Sequence, residues 1–398
     1  MSLFKLVLVN LGRNKLRTIL TTGSVLIALF LFSSLRGILD TLDASIKVSS
    51  EARLVSRNAI SLIFPLPLSY RDRLAAIPGV KSVSYANWFG GRDPNDPGNW
   101  YAQFAVEAEH YIPIYRNDVE IVAGDTPQAE IALPPGIDPK LAAFMAERNA
   151  IVVGQSLFDR MKWKMGQTVM VDGTIFPGSW PFVIRAVYHA KNPQFGEESF
   201  LFHWEYLNER GMNNQGRVGF YILELSDPNL AGDVSRRVDT MFENSAAATR
   251  TETERAFQAG FVSMYGNVPF MIGVIGLAVV FAILLVAANT MAMAIRERTA
   301  EVGVMKTLGF DDGRIFRLVL AEAAIITLGG GIAGALLAKW LIEGSKFNAG
   351  GLLPPMTVSW TTVTIGIGIA VLMGAASGLI PAWQASRLKI VDALRRVD

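Results

Sequence analysis

The stretch VPFMIGVIGLAVVFAILLVAA, residues 268–288, decides the fold class, because it lies within 40 consecutive residues that carry no charge, between Arg255 and Arg296. An α-helix rises about 1.5 Å per residue, so about 20 apolar residues cross a hydrocarbon layer ~30 Å thick. Three more windows share this character, at residues 18–35, 318–338 and 360–383. The sequence therefore predicts four transmembrane helices, at residues 18–39, 266–295, 315–340 and 360–384.

The composition favours a membrane protein over a very apolar cytosolic enzyme. Apolar residues make up 51% of the chain and charged residues 18%, against about 25% charged in a soluble domain. The 37 Lys and Arg nearly balance the 35 Asp and Glu, and no long basic run is present that would bind nucleic acid. The absence of cysteine excludes disulfides, thiolate metal sites and cysteine nucleophiles.

Lys and Arg near the ends of the spans predict the orientation, because cytoplasmic loops are enriched in these residues. They cluster before the first span, between the second and third, and after the fourth: Lys5, Arg13, Lys15 and Arg17; Arg296, Arg298, Lys306, Arg314 and Arg317; Arg387, Lys389, Arg395 and Arg396. Both termini are therefore expected in the cytoplasm, as a leader helix at residues 1–17 and a tail at 385–398. The first span is longer than a signal peptide and is interpreted as an uncleaved anchor. Trp340 and Trp360 are expected at the outer interface and Trp383 at the inner one.

Residues 40–265 form a large insertion, which the charge rule places outside the cytoplasm. Strand-like and helix-like runs are mixed along it, which predicts an α+β domain. The strand-like runs are residues 59–64, 80–85, 101–106, 168–171, 182–188 and 218–225; the helix-like runs are 68–76, 139–148, 155–161 and 227–242. Asp172-Gly173 is typical of a hairpin turn. A short outer loop at residues 341–359 joins the last two spans.

Both ends of the insertion are predicted to be helical. An apolar stripe continues the first span outward through Leu35, Leu39, Leu42 and Ile46. On the return, Thr251 and Glu254 form a capping box, from which a helix could run into the second span. Such helices would be stalks that transmit force, or simple interfacial helices.

Catalytic motifs are missing from the sequence. It contains no G-x-x-x-x-G-K-[ST], H-E-x-x-H or G-x-S-x-G pattern, so we expect no catalytic, cofactor-binding or metal site in this chain. His110 beside Glu107 and Glu109 suggests a metal or acid–base site, but no second histidine stands at ligand spacing. We expect these groups, and His203 near Glu205, to be solvated surface side chains.

Glu322 is an acid inside the third span, where a charge is costly and usually faces protein, a water cavity or a cation. Two roles are open at this point. Either the carboxylate is structural and reaches Arg314 or Arg317, or it takes part in a conformational switch.

Small residues recur at four-residue spacing in the last two spans. The pairs are Gly330 with Gly334 and Gly374 with Gly378. Such pairs let helix backbones approach closely. Packing within one chain and contact in a homodimer are both compatible with this pattern.

The loop after the second span, residues 296–314, is predicted to form a short amphipathic helix at the inner membrane surface. Its apolar residues share one stripe: Ala300, Val304 and Leu308. Gly309 is expected to end the helix in the left-handed conformation, and Asp311 or Asp312 to cap the next helix. An interfacial helix without a protein partner is the alternative.

Several motifs together resemble one known family. The loop carries the pattern R-x-x-E-x-G-x-x-K-x-x-G, at Arg298, Glu301, Gly303, Lys306 and Gly309. Residues 381–387 carry P-x-x-x-A-x-R, residues 10–18 form a basic leader, and residues 78–80 and 150–187 give a looser match in the insertion. With one span, a large domain and three further spans, the chain resembles the FtsX-like or MacB-like (type VII) permeases of ABC transporters.

The resemblance implies a permease subunit that couples ATP hydrolysis by a separate ATPase subunit to motion of the outer domain. Its work would be export or extraction of lipoprotein, peptide or hydrophobic compounds. The alternative is a mechanotransmitting regulatory permease that activates an outside enzyme or senses a ligand. The residues expected to couple to the ATPase are Arg298, Glu301, Gly303, Val304, Lys306, Leu308 and Gly309. Arg298, Glu301 and Lys306 would make polar contacts there, while Val304 and Leu308 pack.

The resemblance also implies the partners and the location. Two ATPase copies would bind ATP and Mg²⁺, and this chain itself would hold no cofactor. The chain would form a homodimer, or a heterodimer with a related permease, with a periplasmic adaptor or lipoprotein as a further candidate partner. Membrane lipid is an expected contact and nucleic acid is not. The expected location is the bacterial plasma (inner) membrane.

Overall fold

The computed structural model describes residues 3–48, 50–96, 98–127, 131–191, 196–211, 215–264, 268–345 and 356–389. The chain forms two compact units, each described by itself. The helical unit comprises Met1–Thr41, Gly266–Lys346 and Met356–Asp398. The inserted domain comprises Leu42–Tyr265 and Phe347–Pro355.

The helices in chain order are α1 (Leu3–Arg13), α2 (Lys15–Val48), α3 (Tyr70–Ala75), α4 (Tyr111–Ile114), α5 (Ala142–Ala146), α6 (Gln155–Arg160), α7 (Trp204–Arg210), α8 (Ala231–Phe242), α9 (Glu254–Met264), α10 (Val268–Glu297), α11 (Thr299–Thr307), α12 (Asp312–Ser345) and α13 (Trp360–Ser386). The strands are β1 (Arg53–Asn58), β2 (Leu66–Pro67), β3 (Val80–Trp88), β4 (Gly91–Arg92), β5 (Ala102–Val106), β6 (Val119–Gly124), β7 (Ala150–Gly154), β8 (Thr168–Gly173), β9 (Gly178–Ala190), β10 (Ser199–His203), β11 (Arg217–Val218), β12 (Phe220–Leu225) and β13 (Thr249–Thr253).

Four helices, α2, α10, α12 and α13, are long and apolar enough to cross a membrane. The multi-pass class is therefore confirmed, with some differences in helix bounds. The leader expected at residues 1–17 is helical from Leu3 to Arg13, and α2 begins at Lys15 and extends to Val48 rather than ending at 39. The helix expected at 315–340 runs from Asp312 to Ser345, and it begins three residues after the turn at Leu308 and Gly309.

The helical unit has an apolar exterior. Large apolar side chains of α10 are exposed, including Phe270, Leu277 and Phe281. A surface of this kind is stable in lipid but would aggregate in water. The tryptophans expected at the interfaces are also exposed, and Lys339 and Arg387 lie over the rings of Trp360 and Trp383, each 4.9 Å from the ring centroid.

The inserted domain is built on a mixed sheet. Its strand order is β13-β1-β12-β3-β5-β10-β7-β9-β8-β4, and β6 pairs with β9. The pairs β5–β10 and β7–β9 are parallel, and the others are antiparallel. With helices α3, α5, α6, α7 and α8 between the strands, this arrangement confirms the α+β class. Its core is rich in aromatic residues, with Phe89 packed against Trp180, Phe182 and Phe202 at centroid distances of 5.2, 6.0 and 5.4 Å.

Polar residues explain the strand that the sequence pattern missed. The expected strand at residues 59–64 is a loop, and the chain instead forms β1 just before it. Arg53, Ser56 and Asn58 of β1 are all buried, so β1 lacks the apolar alternation of a half-buried strand. Ser56 accepts a hydrogen bond from the hydroxyl of Thr251 on β13 at 2.9 Å.

Two local expectations in the insertion are wrong in detail. Asp172 and Gly173 are the last residues of β8, and Gly173 pairs with Gly178, so the hairpin turn lies after them. Thr251 belongs to β13 and cannot cap α9. The cap is the hydroxyl of Thr253, which accepts a hydrogen bond from the Ala256 amide at 3.1 Å.

A buried ionic cluster joins the first strand of the inserted domain to the first residue of α9. The Arg53 guanidinium lies 2.7 Å from the Asp118 carboxylate and 2.8 Å from that of Glu254. The Tyr115 hydroxyl donates to Glu254 at 3.0 Å, and the Arg53 guanidinium lies over the Tyr115 ring. Such a cluster of opposite charges holds β1 and the start of α9 in one geometry.

Some expectations fall on residues that are not described. The continuity of the returning stalk with the second span depends on residues 265–267. Most of the short outer loop (346–355) and of the tail (390–398) also lies outside the described residues.

Candidate functional site

The loop between the second and third spans contains one short helix, α11, rather than a helix over 296–314. At its start Arg298 has φ −102° and ψ 16°, which separates it from α10. At its end Gly309 has φ +92°, and the amides of Gly309 and Phe310 donate to the carbonyls of Lys306 and Met305, both at 3.1 Å. The left-handed ending expected at Gly309 is therefore observed, as glycine alone adopts it without strain.

The apolar stripe of α11 faces outward. The side of α11 that packs inside the unit is formed by Thr299, Val302 and Gly303, which are buried. Val304 is 48% exposed and Leu308 is 74% exposed. Two apolar side chains, one on α11 and one on the residue that follows its last, thus lie uncovered where a partner or a lipid surface can contact them.

Arg298 points into the helical unit, contrary to the expected contact with an outside subunit. Its Nη1 lies 3.1 and 3.3 Å from the two carboxylate oxygens of Glu322, and its Nη2 donates to the Asn10 carbonyl at 2.8 Å. The expected partners of Glu322, Arg314 and Arg317, are not the ones used. Arg298 lies at the junction between α10 and α11. The sequence of α12 alone therefore gives no indication of its pairing with Glu322.

Lys306 is also occupied inside the unit. Its ammonium group donates to the carbonyls of Ser386 and Leu388 at 2.6 and 2.8 Å, and to the Asp312 carboxylate at 2.8 Å. These bonds use all three donors of the ammonium and neutralise the carbonyl end of α13. The polar contact expected between Lys306 and an ATPase is therefore replaced by a bond that fastens α11 to α13.

The leader contributes to the same region, which the sequence reading missed. Arg13 lies 2.7 Å from Glu301, and Arg17 pairs with Glu297. The two arginines and the two glutamates are each four residues apart, and each pair spans a helix junction: Arg13 ends α1 and Arg17 lies in α2, while Glu297 ends α10 and Glu301 lies in α11. This matched spacing is a signal that the sequence does contain. Glu301 is half-exposed, so it is the polar member of the motif that an outside partner can reach.

Both glycine pairs pack within the chain. A Cβ on Gly330 would lie 2.5 Å from the Thr22 carbonyl oxygen, and one on Gly334 would lie 2.3 Å from that of Leu26. These two glycines therefore let α12 touch the backbone of α2. Gly374 and Gly378 do the same between α13 and α12, where a Cβ would lie 2.5 Å from the Thr327 hydroxyl and 2.8 Å from Ala323. Of the two uses that the spacing left open, packing within one chain and contact in a homodimer, these glycines serve packing within the chain.

Glu107 and His203 of the inserted domain were expected to be solvated surface side chains, but both are buried. Glu107 is buried; its carboxylate accepts from Ser84 at 3.0 Å and lies 2.6 Å from Nδ1 of His110. Ligand atoms of Glu107, Glu109 and His110 lie within 4.8 Å of one another, but these hydrogen bonds account for that arrangement. His203 is only 3% exposed, and its burial lowers the pKa of the imidazole to about 4.

Together these features define a class: a multi-pass membrane protein with a large α+β insertion and a fastened short helix between its second and third spans. Residues 272–390, which include α11, match the family model for the FtsX-like permease C-terminal region. The expected resemblance to FtsX-like and MacB-like ABC permeases is confirmed by this match and by the relatives that follow.

Curated relatives align with parts of the chain. The macrolide export ATP-binding/permease protein MacB of Nitrobacter winogradskyi is 31% identical over 39% of this chain and 22% of its own length. The uncharacterized ABC transporter permease YknZ of Bacillus subtilis is 32% identical over 27% of this chain and 26% of its own. The chain thus spans about a quarter or less of these relatives. The uncharacterized ABC transporter permease MJ1507 of Methanocaldococcus jannaschii is 22% identical over 87% of this chain and 86% of its own.

Solved structures are similar to the inserted domain. The periplasmic region of MacB from Actinobacillus actinomycetemcomitans covers 54% of this chain and 95% of that chain, at 9% identity and a TM-score of 0.37. The extracellular domain of the ABC-type transporter YknZ covers 50% of this chain and 98% of that chain, at 10% identity and a TM-score of 0.34.

Proposed function

We propose that this chain is the permease subunit of an ABC transporter and that α11 receives the motion of a separate ATPase subunit. The observation that carries the proposal is the arrangement of α11 itself. Its apolar residues Val304 and Leu308 are exposed, while Arg298 and Lys306 fasten its two ends to neighbouring helices. A helix held in this way can be pushed without being detached.

The bonds at the two ends of α11 determine where a push would go. Arg298 connects its start to α12 through Glu322 and to α1 through the Asn10 carbonyl. Lys306 connects its end to the last turn of α13. A displacement of α11 is therefore expected to move α1, α12 and α13 together. The residues that couple to the ATPase are then Val304, Leu308, Glu301 and Gly309, with Arg298, Lys306 and buried Gly303 as positioning residues.

The finer parts of the proposal follow the resemblance. Two ATPase copies would bind ATP and Mg²⁺ beneath a dimer of this chain or a heterodimer with a related permease. The location would be the bacterial inner membrane, with both termini in the cytoplasm. The MacB relatives are named for macrolide export, and we propose export or extraction of lipoprotein, peptide or hydrophobic compounds for this chain. Stimulation of the ATPase by such a compound would separate transport from a purely regulatory role.

The competing interpretation of α11 is a helix that lies on the membrane surface with Val304 and Leu308 in lipid. Both interpretations use the same exposed side chains, so the partner has to be identified directly. The tagged full chain is purified from its native membrane, and the bound subunits are identified by mass spectrometry. We expect an ATPase that carries a P-loop.

The sharper test is Leu308→Asp, which places a charge on the exposed face of α11. We expect this variant to lose most of the bound ATPase and its ATP hydrolysis, because burying an unpaired carboxylate at an interface costs several kcal/mol, about tenfold in affinity for each 1.4 kcal/mol. Ile175→Asp is the matched control, since Ile175 is 56% exposed on the inserted domain. It should retain the ATPase.

If the ATPase stays bound to Leu308→Asp at the level of the control, the assignment of α11 as the ATPase-coupling helix is wrong. An unchanged melting temperature of both variants shows that the comparison concerns docking rather than folding.

A further inference from the structure

The inserted domain contains an open cavity of about 710 Å³. It lies between β3, the turn that follows β5, and the start of α7. Its walls combine apolar side chains with charged ones: Leu68, Tyr85 and Met145, and Arg71, Glu107 and Glu205. A cavity of this volume, in which charged and polar groups converge beside a few apolar side chains, is of the size that holds a small organic ligand.

Two buried acceptors face each other in this cavity. Nε2 of His203 lies 2.7 Å from the Phe144 carbonyl oxygen, so it carries the ring proton and leaves the lone pair on Nδ1. That Nδ1 lies 3.9 Å from Oε2 of Glu205, which is too far for a hydrogen bond. Oε2 of Glu205 is itself buried without a hydrogen-bond partner, since Arg148 approaches it only to 3.8 Å.

A third polar group points into the same space. Tyr85 is 6% exposed, and its ring packs edge-on against Trp204 and Tyr221 at centroid distances of 5.1 and 6.1 Å. In the described part of the chain its hydroxyl makes no hydrogen bond. Burial, followed by the charges of Glu205 and Glu107, raises the pKa of Tyr85, so the hydroxyl is neutral.

We propose that this cavity binds a small organic ligand with a primary ammonium group on an apolar body. An ammonium group has three N–H donors and no acceptor. The cavity offers it three acceptors: Oε2 of Glu205, Nδ1 of His203 and the hydroxyl oxygen of Tyr85. A nitrogen about 2.9 Å from each of two atoms fits between acceptors 3.9 Å apart.

The surrounding charges favour a cation over an anion. The carboxylates of Asp72, Glu107, Glu109 and Glu205 line the cavity, against the guanidinium groups of Arg71 and Arg148. His203 is neutral at pH 7, because its burial lowers the pKa of the ring to about 4. The apolar body of the ligand would lie against Leu68 and Met145.

The probe is 4-fluorophenethylamine, and its neutral analogue is 2-(4-fluorophenyl)ethanol. Binding to the full chain in phosphatidylcholine nanodiscs is measured by fluorine NMR, with empty nanodiscs as the blank. We expect the amine to bind at least about tenfold more tightly than the alcohol, since a hydrogen bond to a charged group is worth about twice a neutral one.

Two variants test the acceptors. Glu205→Gln keeps the shape and removes the charge, so the affinity for the amine should fall about tenfold or more. Tyr85→Phe removes only the hydroxyl, and we expect a loss of about threefold to tenfold. The matched control is Glu209→Gln, because Glu209 also lies beside Arg148, at 3.9 Å, but does not line the cavity. It should bind the amine as the original chain does.

Three results would overturn the proposal: no amine binding above the blank, equal binding of alcohol and amine, or equal effects of Glu205→Gln and Glu209→Gln. If melting shows that Glu205→Gln does not fold, Tyr85→Phe decides the question. An unchanged affinity in that variant would also overturn the assignment. None of these outcomes depends on an ATPase partner.

Discussion

At the scale of single residues, the pair formed by Arg298 and Glu322 shows how a charge is accommodated inside an apolar helix bundle. The guanidinium is 15% exposed and the carboxylate 8%, so each depends on the other for charge compensation. Breaking a buried pair is costly, because the remaining charge has no partner and little water. The structural role of Glu322 is thus supported, and a switching role requires a functional measurement.

We predict that Glu322→Ala lowers the stability of the detergent-solubilised chain by about 3 kcal/mol, as expected for a buried charge left alone. The measurement is the thermal unfolding midpoint followed by tryptophan fluorescence. Glu343→Ala is the matched control on the same helix, since its pair with Lys339 is more exposed and should be worth below about 1 kcal/mol. Equal losses in the two variants would contradict the buried pair.

The double variant Arg298→Met with Glu322→Leu separates the two roles. Replacing a buried ion pair by apolar residues often restores stability. If the double variant is stable and still couples ATP hydrolysis, Glu322 has a structural role only. Loss of ATP hydrolysis in a stable variant would indicate a switch.

His203 predicts a pH dependence of the inserted domain. Its folded-state pKa is lowered to about 4 by burial, from 6.5 in the unfolded chain. The stabilisation that neutral His203 gives to the folded state is therefore complete above about pH 6.5. It is lost as the pH falls towards 4, by up to about 3 kcal/mol. Thermal melts of the full chain between pH 7.5 and 4.5 measure it.

Two variants test this assignment, one at His203 and a control at His189. His203→Phe keeps the stacking on Phe144 and should flatten the acid part of the profile. His189→Gln should not, because the side chain of His189 is 53% exposed. If both variants keep the original profile, the buried neutral imidazole is not the source of the pH dependence.

At the scale of secondary-structure elements, the helical unit depends on close backbone contacts. We predict that Gly334→Ala destabilises it by about 1–3 kcal/mol, the usual cost of overpacking. The added Cβ would lie 2.3 Å from the Leu26 carbonyl oxygen, and a backbone atom cannot move aside as a side chain can. The thermal midpoint in detergent is the measurement.

Gly329→Ala is the matched control, five residues earlier on α12. Nothing lies within 4 Å of its added Cβ, and alanine is the better helix former, so this variant should be neutral or slightly more stable. A fall in the midpoint for Gly329→Ala as large as that for Gly334→Ala would mean that helix flexibility, rather than packing, sets the requirement for glycine.

Sequence patterns predicted some features of the helices and missed others. Apolar length alone identified all four long helices, and the conformation of Gly309 followed from its place after a periodic helix. The pattern placed Val304, Leu308, Arg298 and Lys306 against an outside subunit. Val304 and Leu308 are exposed, whereas Arg298 and Lys306 are bonded inside the helical unit. Arg298 and Lys306 point inward because their hydrogen-bond acceptors, the carbonyls of Asn10 and Ser386, lie in distant parts of the chain.

At the scale of the whole molecule, four long apolar helices and the charge rule predict both chain ends on one side of the membrane and the inserted domain on the other. The absence of cysteine allows single cysteines to report this directly. We predict that a membrane-impermeant maleimide labels Asn229→Cys in intact spheroplasts. Lys5→Cys and Lys389→Cys should be labelled only after the membrane is permeabilised. Labelling of Lys5→Cys and Lys389→Cys from opposite sides would contradict an even number of spans.

The sequence by itself determined the number of long apolar helices, the α+β character of the insertion and the end of α11, because these depend on local composition, periodicity and backbone freedom. Tertiary structure alone decided the partner of Glu322, the face of α11 that is exposed, and the burial of His203 and Glu107. Arg298 reaches Asn10 across 288 positions of the chain, and Lys306 reaches Leu388 across 82. Contacts of this kind follow from packing, which no local window contains.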